Sequence, residues 1–92
     1  MWWLLQYDVI DGYVEARAPF RAEHLALATQ FRDRGELVLA GAFADPADGA
    51  ALVFRADDRA AVEAFVAADP YVANGLVTRW WIREWTVVIG GE

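Results

Sequence analysis

The chain has 92 residues, enough for one domain with a single core, but near the size at which burial inside one copy is only marginally stabilising. It contains no cysteine and no lysine, which excludes disulfides, thiolate nucleophiles, cysteine metal sites, lysine-based phosphate loops and Schiff-base chemistry. Fourteen acidic residues against eight arginines give a net charge of −6, so the chain repels phosphate backbones and nucleic acid is not an expected partner.

Trp2 to Ile10 reads as a strand that is apolar on both faces, interrupted by Gln6 and Asp8. It lacks the basic leader of a secretion signal, and no apolar run approaches the roughly 20 residues of a membrane span. The expectation is therefore a soluble, cytoplasmic protein with no membrane partner. Asp11 to Arg17 reads as a polar connection. Pro19 suits a first helical position, and from there to Arg34 the residues Phe20, His24, Leu27, Ala28 and Phe31 recur at helical spacing until Gly35 stops the helix.

Leu37 to Phe43 reads as a second strand, residues 45 to 49 as a turn, and Ala50 to Ala56 as a third strand. Asp57 or Asp58 caps a second helix whose inner face carries Val62, Phe65 and, by the same spacing, Asp69. Pro70 ends that helix, Asn74-Gly75 turns the chain, and Leu76 to Ile89 supplies a long last strand. No linker or repeat divides the chain, so residues 1 to 92 are read as one domain.

The order strand, helix, strand, strand, helix, strand folds most simply as an α+β, ferredoxin-like βαββαβ sandwich. Its four-stranded antiparallel sheet would carry both helices on one face. A sheet with one wet face normally alternates apolar and polar residues. Here Trp2 with Leu4 and Trp3 with Leu5 point to opposite faces, as do Trp80 and Trp81, and residues 51 to 54 form an unbroken apolar run. Each large aromatic hides on the order of 150 to 250 Å² when covered, so a second copy of the sheet is the expected cover, giving a homodimer of the dimeric α+β barrel kind.

In this topology the start of the first helix lies beside the end of the second, which brings His24 towards Asp69. A carboxylate closing a helix is disfavoured by roughly 0.3 to 1 kcal/mol, and a neighbouring imidazolium would offset that. The pair could then move protons near neutrality, with Asp69 fixing the ring and His24 acting as base or acid. Arg21, one turn before His24, either pairs with Glu23 or Asp69 or holds an anionic substrate. Gly41, at a strand end, either allows a bend or lets a substrate approach the backbone. Against these stand plainer readings: a packed helix-face histidine, an Asp-Pro that is only a stop signal, and tryptophans that form core and interface and not a platform for bases. One histidine and no cysteine leave no close-spaced ligand set for a metal.

Three blocks carry a resemblance: Arg21-x-x-His24-Leu25, Gly35-x-Leu37-x-Leu39-Ala40-Gly41, and Asp69-Pro70-Tyr71-Val72-Ala73-x-Gly75-Leu76. They stand in the order of the YCII-related family, which the chain resembles over nearly its whole length. The resemblance implies a ferredoxin-like dimer with an active site on a histidine and an aspartate, mapping onto His24 and Asp69. It also implies proton transfer on a small ring compound without metal or organic cofactor, as in a dehydrochlorinase of chlorinated hydroxyhydroquinone or, in the wider barrel group, muconolactone isomerase. The family often has a proline after the glycine of the second block, where this chain has Ala42, so the pocket and substrate are expected to differ.

The expected function is thus a cofactor-free lyase or isomerase for a small aromatic or lactone-like compound. His24 and Asp69 would do the chemistry, and Arg21, Gly41, Tyr71 and Phe20 would line the substrate. The alternative is a non-catalytic dimer that binds a small ligand or serves as an accessory module. A cofactor-free monooxygenase shares the architecture without motif support.

Overall fold

The alternation along the first strand decides where the core lies. In the computed structural model, which describes residues 1–91, β1 (Trp2–Val9) turns Trp3, Leu5 and Tyr7 to one side, where all three are buried. Its neighbours are β3 (Gly49–Arg55), which adds Ala50, Leu52 and Phe54 to that side, and β4 (Val77–Trp85), which adds Ile82. β2 (Leu37–Ala42) pairs with β3, so the sheet runs β2-β3-β1-β4 with every pair antiparallel. That is the ferredoxin-like order, and the fold class is α+β as the element sequence implies.

Two helices cover the inner side of this sheet. From α2 (Arg21–Asp33) come Phe31, Leu27 and Ala28, and from α3 (Ala60–Ala68) come Val62, Phe65 and Val66. Phe31, Phe54 and Phe65 meet edge to face with centroids 5.2 to 6.3 Å apart, the geometry aromatic quadrupoles favour, so two helices and the middle of the sheet share one aromatic junction. The N-cap of α3 is Arg59, without a side-chain cap bond, and not Asp57 or Asp58; Asp58, one residue earlier, accepts from the Ala60 amide through Oδ1 at 2.8 Å. No helix among the described residues is long and apolar enough to cross a membrane.

Four further local expectations are corrected. The connection after β1 is not irregular: it contains a helical turn, α1 (Tyr13–Ala16), begun by Gly12 at a positive φ of 71°, where a side chain would be strained. Pro19 then sits in a single 3-10 turn, Ala18–Phe20, so the α-helical hydrogen bonding begins only at Arg21. The last strand ends at Trp85 and not Ile89, because its register sets Trp85 opposite Trp2 and β1 offers no residue beyond to pair with.

The fourth correction concerns Asp69. It closes α3 as its C-cap, yet it is not a misplaced charge, because the same residue starts the helix that follows. The following proline excludes helical backbone, so Asp69 is extended (φ −72°, ψ 118°), and Pro70 opens a short further helix, α4 (Pro70–Ala73). Asp69 is the N-cap of that helix, its Oδ1 accepting from the Tyr71 amide at 3.0 Å.

The outer side of the sheet is less uniformly apolar than the sequence suggests. Leu4, Val53 and Leu39 share it with Arg55, Arg79 and Arg83 by register. Two of these arginines lie over tryptophans, Arg55 over Trp2 at 4.8 Å and Arg79 over Trp81 at 4.5 Å. Such stacking hides part of each ring while leaving a charged head in water. Leu39 and Trp85 nevertheless remain 67 % and 47 % exposed.

Candidate active site

The helical phase that buries Val62 and Phe65 reaches one turn further to Asp69, which is fully buried at 0 % exposure. A bare carboxylate there would be costly, and three donors answer it. Oδ1 takes the Tyr71 amide and the Nδ1–H of His24, the latter at 2.8 Å, while Oδ2 takes the Tyr7 hydroxyl at 2.7 Å. His24 and Asp69, 45 positions apart, are thus brought together.

A carboxylate only accepts, so the Asp69 contact assigns the proton on the neutral ring to Nδ1 and leaves the lone pair on Nε2. The ring is held in plane from two other directions. Tyr71 stacks on it with centroids 3.9 Å apart and planes 8° from parallel, and Phe65 meets it edge-on at 6.2 Å. His24 is half-buried and lines a cleft of about 730 Å³, within the usual size range of small-molecule sites. Nε2 is paired with no protein group among the described residues and so is available to whatever enters.

Of the other residues singled out in the sequence, Arg21, Gly41 and Tyr71 line this cleft. Arg21 pairs with neither Glu23 nor Asp69, against the solvated-pair expectation. Around Gly41 a built Cβ meets nothing within 4 Å, so no contact inside this chain requires glycine there. Phe20 is not among the lining residues: it packs from behind against the small cluster of Tyr13, Tyr71 and Leu76. Its role is to back Tyr71, because the 3-10 turn displaces it from the phase of α2.

Tyr7 escaped the sequence reading, and the signal for it was present. It occupies the third inward position of β1 after Trp3 and Leu5, a polar tip in a row otherwise apolar, and such a hydroxyl must find a buried partner. Burial, then the adjacent Asp69 charge and the hydrogen bond to it, push the Tyr7 phenol well above the ordinary tyrosine range, so it is a neutral donor. Burial also raises Tyr71, with Tyr13 adding to the effect and Arg21 and Arg17 opposing it. Tyr13 and Arg17, which line the cleft as well, were hidden because the turn that carries them has no helical periodicity to betray it.

The model of the YCII-related domain matches residues 1–86. No curated protein sequence matches the chain. Among solved structures, the chain is similar to 5-chloro-2-hydroxyhydroquinone dehydrochlorinase of Burkholderia phenoliruptrix AC1100 in complex with 2,5-dihydroxybenzoquinone, with a TM-score of 0.79 and 21 % identity over 94 % of each chain. It is also similar to an antibiotic biosynthesis monooxygenase, with a TM-score of 0.55 and 16 % identity over 97 % of this chain and all of that one. Likenesses at these identities establish the shared fold.

The geometry around Asp69 fixes how stability responds to alkali. A folded-state phenol raised above its ordinary value of 10.0 keeps a proton that the unfolded chain releases, so its contribution is whole below that pH and is lost as pH rises beyond it. For Tyr7 the loss approaches ~1.4 kcal/mol per pH unit. Denaturant unfolding from pH 7 to 12 should show a plateau followed by this fall. Tyr7→Phe should flatten the fall while costing roughly 1–3 kcal/mol at neutral pH, because Oδ2 of Asp69 loses its donor.

Proposed function

Because the chain belongs to the YCII-related family, we propose that it is an enzyme of the lyase or isomerase kind that moves a proton on a small ring compound with His24 as the working base. The observation that carries this reading is the 2.8 Å bond from His24 Nδ1 to a carboxylate buried beneath a cleft, with Nε2 left unpaired. A base needs an oriented lone pair and an environment that tolerates the charge it acquires. Tyr71 and Phe65 supply the orientation, and Asp69, held by the Tyr7 hydroxyl and the Tyr71 amide, supplies the countercharge.

The step follows from that arrangement. Nε2 takes a proton from the substrate, and the imidazolium that forms remains bonded through Nδ1 to Asp69. In an isomerisation the same nitrogen returns the proton to another atom of the ring compound. In a dehydrochlorination the electron pair left on the substrate expels chloride, and Nε2 later releases its proton to water. The named reaction of the structurally similar Burkholderia protein makes a chlorinated hydroxyhydroquinone the first substrate to try.

Positioned general-base catalysis contributes typically 10² to 10⁴-fold. With 5-chloro-2-hydroxyhydroquinone, His24→Ala should therefore lower chloride release by about that factor, and Asp69→Asn should lower it too, while circular dichroism shows the fold retained. Turnover that survives His24→Ala at the original rate would reject the base.

We further propose that the outer face of the sheet is covered by a second copy. The half-exposed Trp85, the exposed Leu39 and their neighbours Leu4 and Val53 support it, since an aqueous face does not favour such a patch. Sedimentation equilibrium should give twice the 10.3 kDa chain mass, and Leu39→Glu combined with Trp85→Glu should shift the population to the single chain. A wild-type mass of one chain at micromolar concentration would overturn this arrangement.

A further inference from the structure

The lining of the cleft has a charge opposite to that of the chain. Overall the sequence carries a net −6, yet Arg17, Arg21 and Arg32 line the cleft and no aspartate or glutamate among the described residues does. Asp69, which holds His24, is itself fully buried and bonded to His24 and Tyr7. An acidic protein that gathers guanidinium groups around one concavity concentrates anions there.

None of those three arginines is ion-paired among the described residues. Arg17 instead rests over the Tyr13 ring at 5.1 Å. Beside them lies an unanswered group of the complementary kind. Tyr71 is 1 % exposed, and its hydroxyl, buried and bonded to nothing, is the one such side-chain atom among the described residues. Leaving a buried hydroxyl without a partner is unfavourable, so a ligand atom that answers it is favoured there. Arg21 lies near enough for its charge and its N–H groups to favour the phenolate form, and since a guanidinium only donates, what the Tyr71 hydroxyl lacks is an acceptor.

We infer that Arg17, Arg21 and the Tyr71 hydroxyl form a carboxylate-binding subsite, so that the substrate is a small ring acid whose carboxylate docks there while its ring lies across His24. This deepens the proposed function and rests on His24 being the reactive end of the same cleft. A guanidinium fork matches the two oxygens of a carboxylate, which a single ring oxygen cannot engage in the same way. Arg21 is exposed at the start of α2 and free to turn inwards. An oxygen drawn in with it gives the Tyr71 hydroxyl the acceptor it lacks. The fold keeps both ends within reach of one small ligand: Arg21 stands one helical turn before His24, and the Tyr71 ring is stacked on His24 with centroids 3.9 Å apart. The opposite wall, with Leu37, Ala40 and Phe43, offers apolar surface for the rest of the molecule.

The test is an NMR titration of the intact protein with benzoate, its neutral isostere benzamide, and 4-nitrophenolate at constant ionic strength. Benzoate should shift the Tyr71 and His24 signals saturably and bind at least tenfold more tightly than benzamide or 4-nitrophenolate. Arg21→Gln should weaken benzoate at least fivefold, and the Arg17→Gln, Arg21→Gln double variant should erase its preference over benzamide. His24→Gln should keep that preference, which separates this subsite from the chemistry: lost turnover with the preference intact leaves the subsite standing. Equal binding of benzoate and benzamide by the wild type, tighter binding of 4-nitrophenolate than of benzoate, or a benzoate preference that survives in the double variant would overturn the inference.

Discussion

One buried carboxylate organises the functional end of this molecule. Asp69 receives a hydroxyl from the sheet, an imidazole N–H from α2 and an amide from α4, and so ties three elements together at a single point. A charge in that position is unfavourable unless each oxygen is answered. The need to answer it fixes the proton of His24 on Nδ1 and keeps the Tyr7 hydroxyl pointed at Oδ2, while the turn that Pro70 imposes brings up the Tyr71 amide. Stability and chemistry are therefore linked here: the bonds that make the charge tolerable are the ones that aim Nε2 at the cleft.

The aromatic packing extends the same constraint. Phe65 belongs to the junction of Phe31 and Phe54 in the main core and also meets the His24 ring edge to face, while Tyr71 stacks on that ring and is backed by Tyr13 and Phe20. The catalytic candidate is thus fixed by rigid rings, which lose little side-chain freedom on ordering. In the proposed function, a base held in this manner needs no rearrangement before it meets a proton, which is the condition for efficient transfer.

Much of this was legible in the sequence. The element order and the apolar runs of β1 and β3 gave the sheet and its two helices, and the 62, 65, 69 spacing turned Asp69 inwards towards His24. What escaped was governed by local or through-space effects that periodicity does not encode. The turn carrying Tyr13 and Arg17 depends on a positive φ at Gly12, and the end of β4 depends on where β1 runs out of partners. Asp69 was placed correctly and explained incompletely: the proline that stops α3 also makes Asp69 the N-cap of α4, so a charge at the unfavourable end of one helix stands at the favourable end of the next. Tyr7 shows the reverse case, a residue whose alternation placed it inside while its hydroxyl partner, 62 positions away, could only be seen in three dimensions.

The central claim is the protonation pattern of one ring. Long-range ¹⁵N–¹H correlation of the neutral His24 imidazole reads it directly, since protonated and bare ring nitrogens differ widely in ¹⁵N shift. The account predicts a proton on Nδ1, bonded to Asp69, and a bare Nε2 whose signal moves when a ligand enters the cleft. A neutral ring carrying its proton on Nε2, with Nδ1 bare, would contradict it, because no base would then face the substrate.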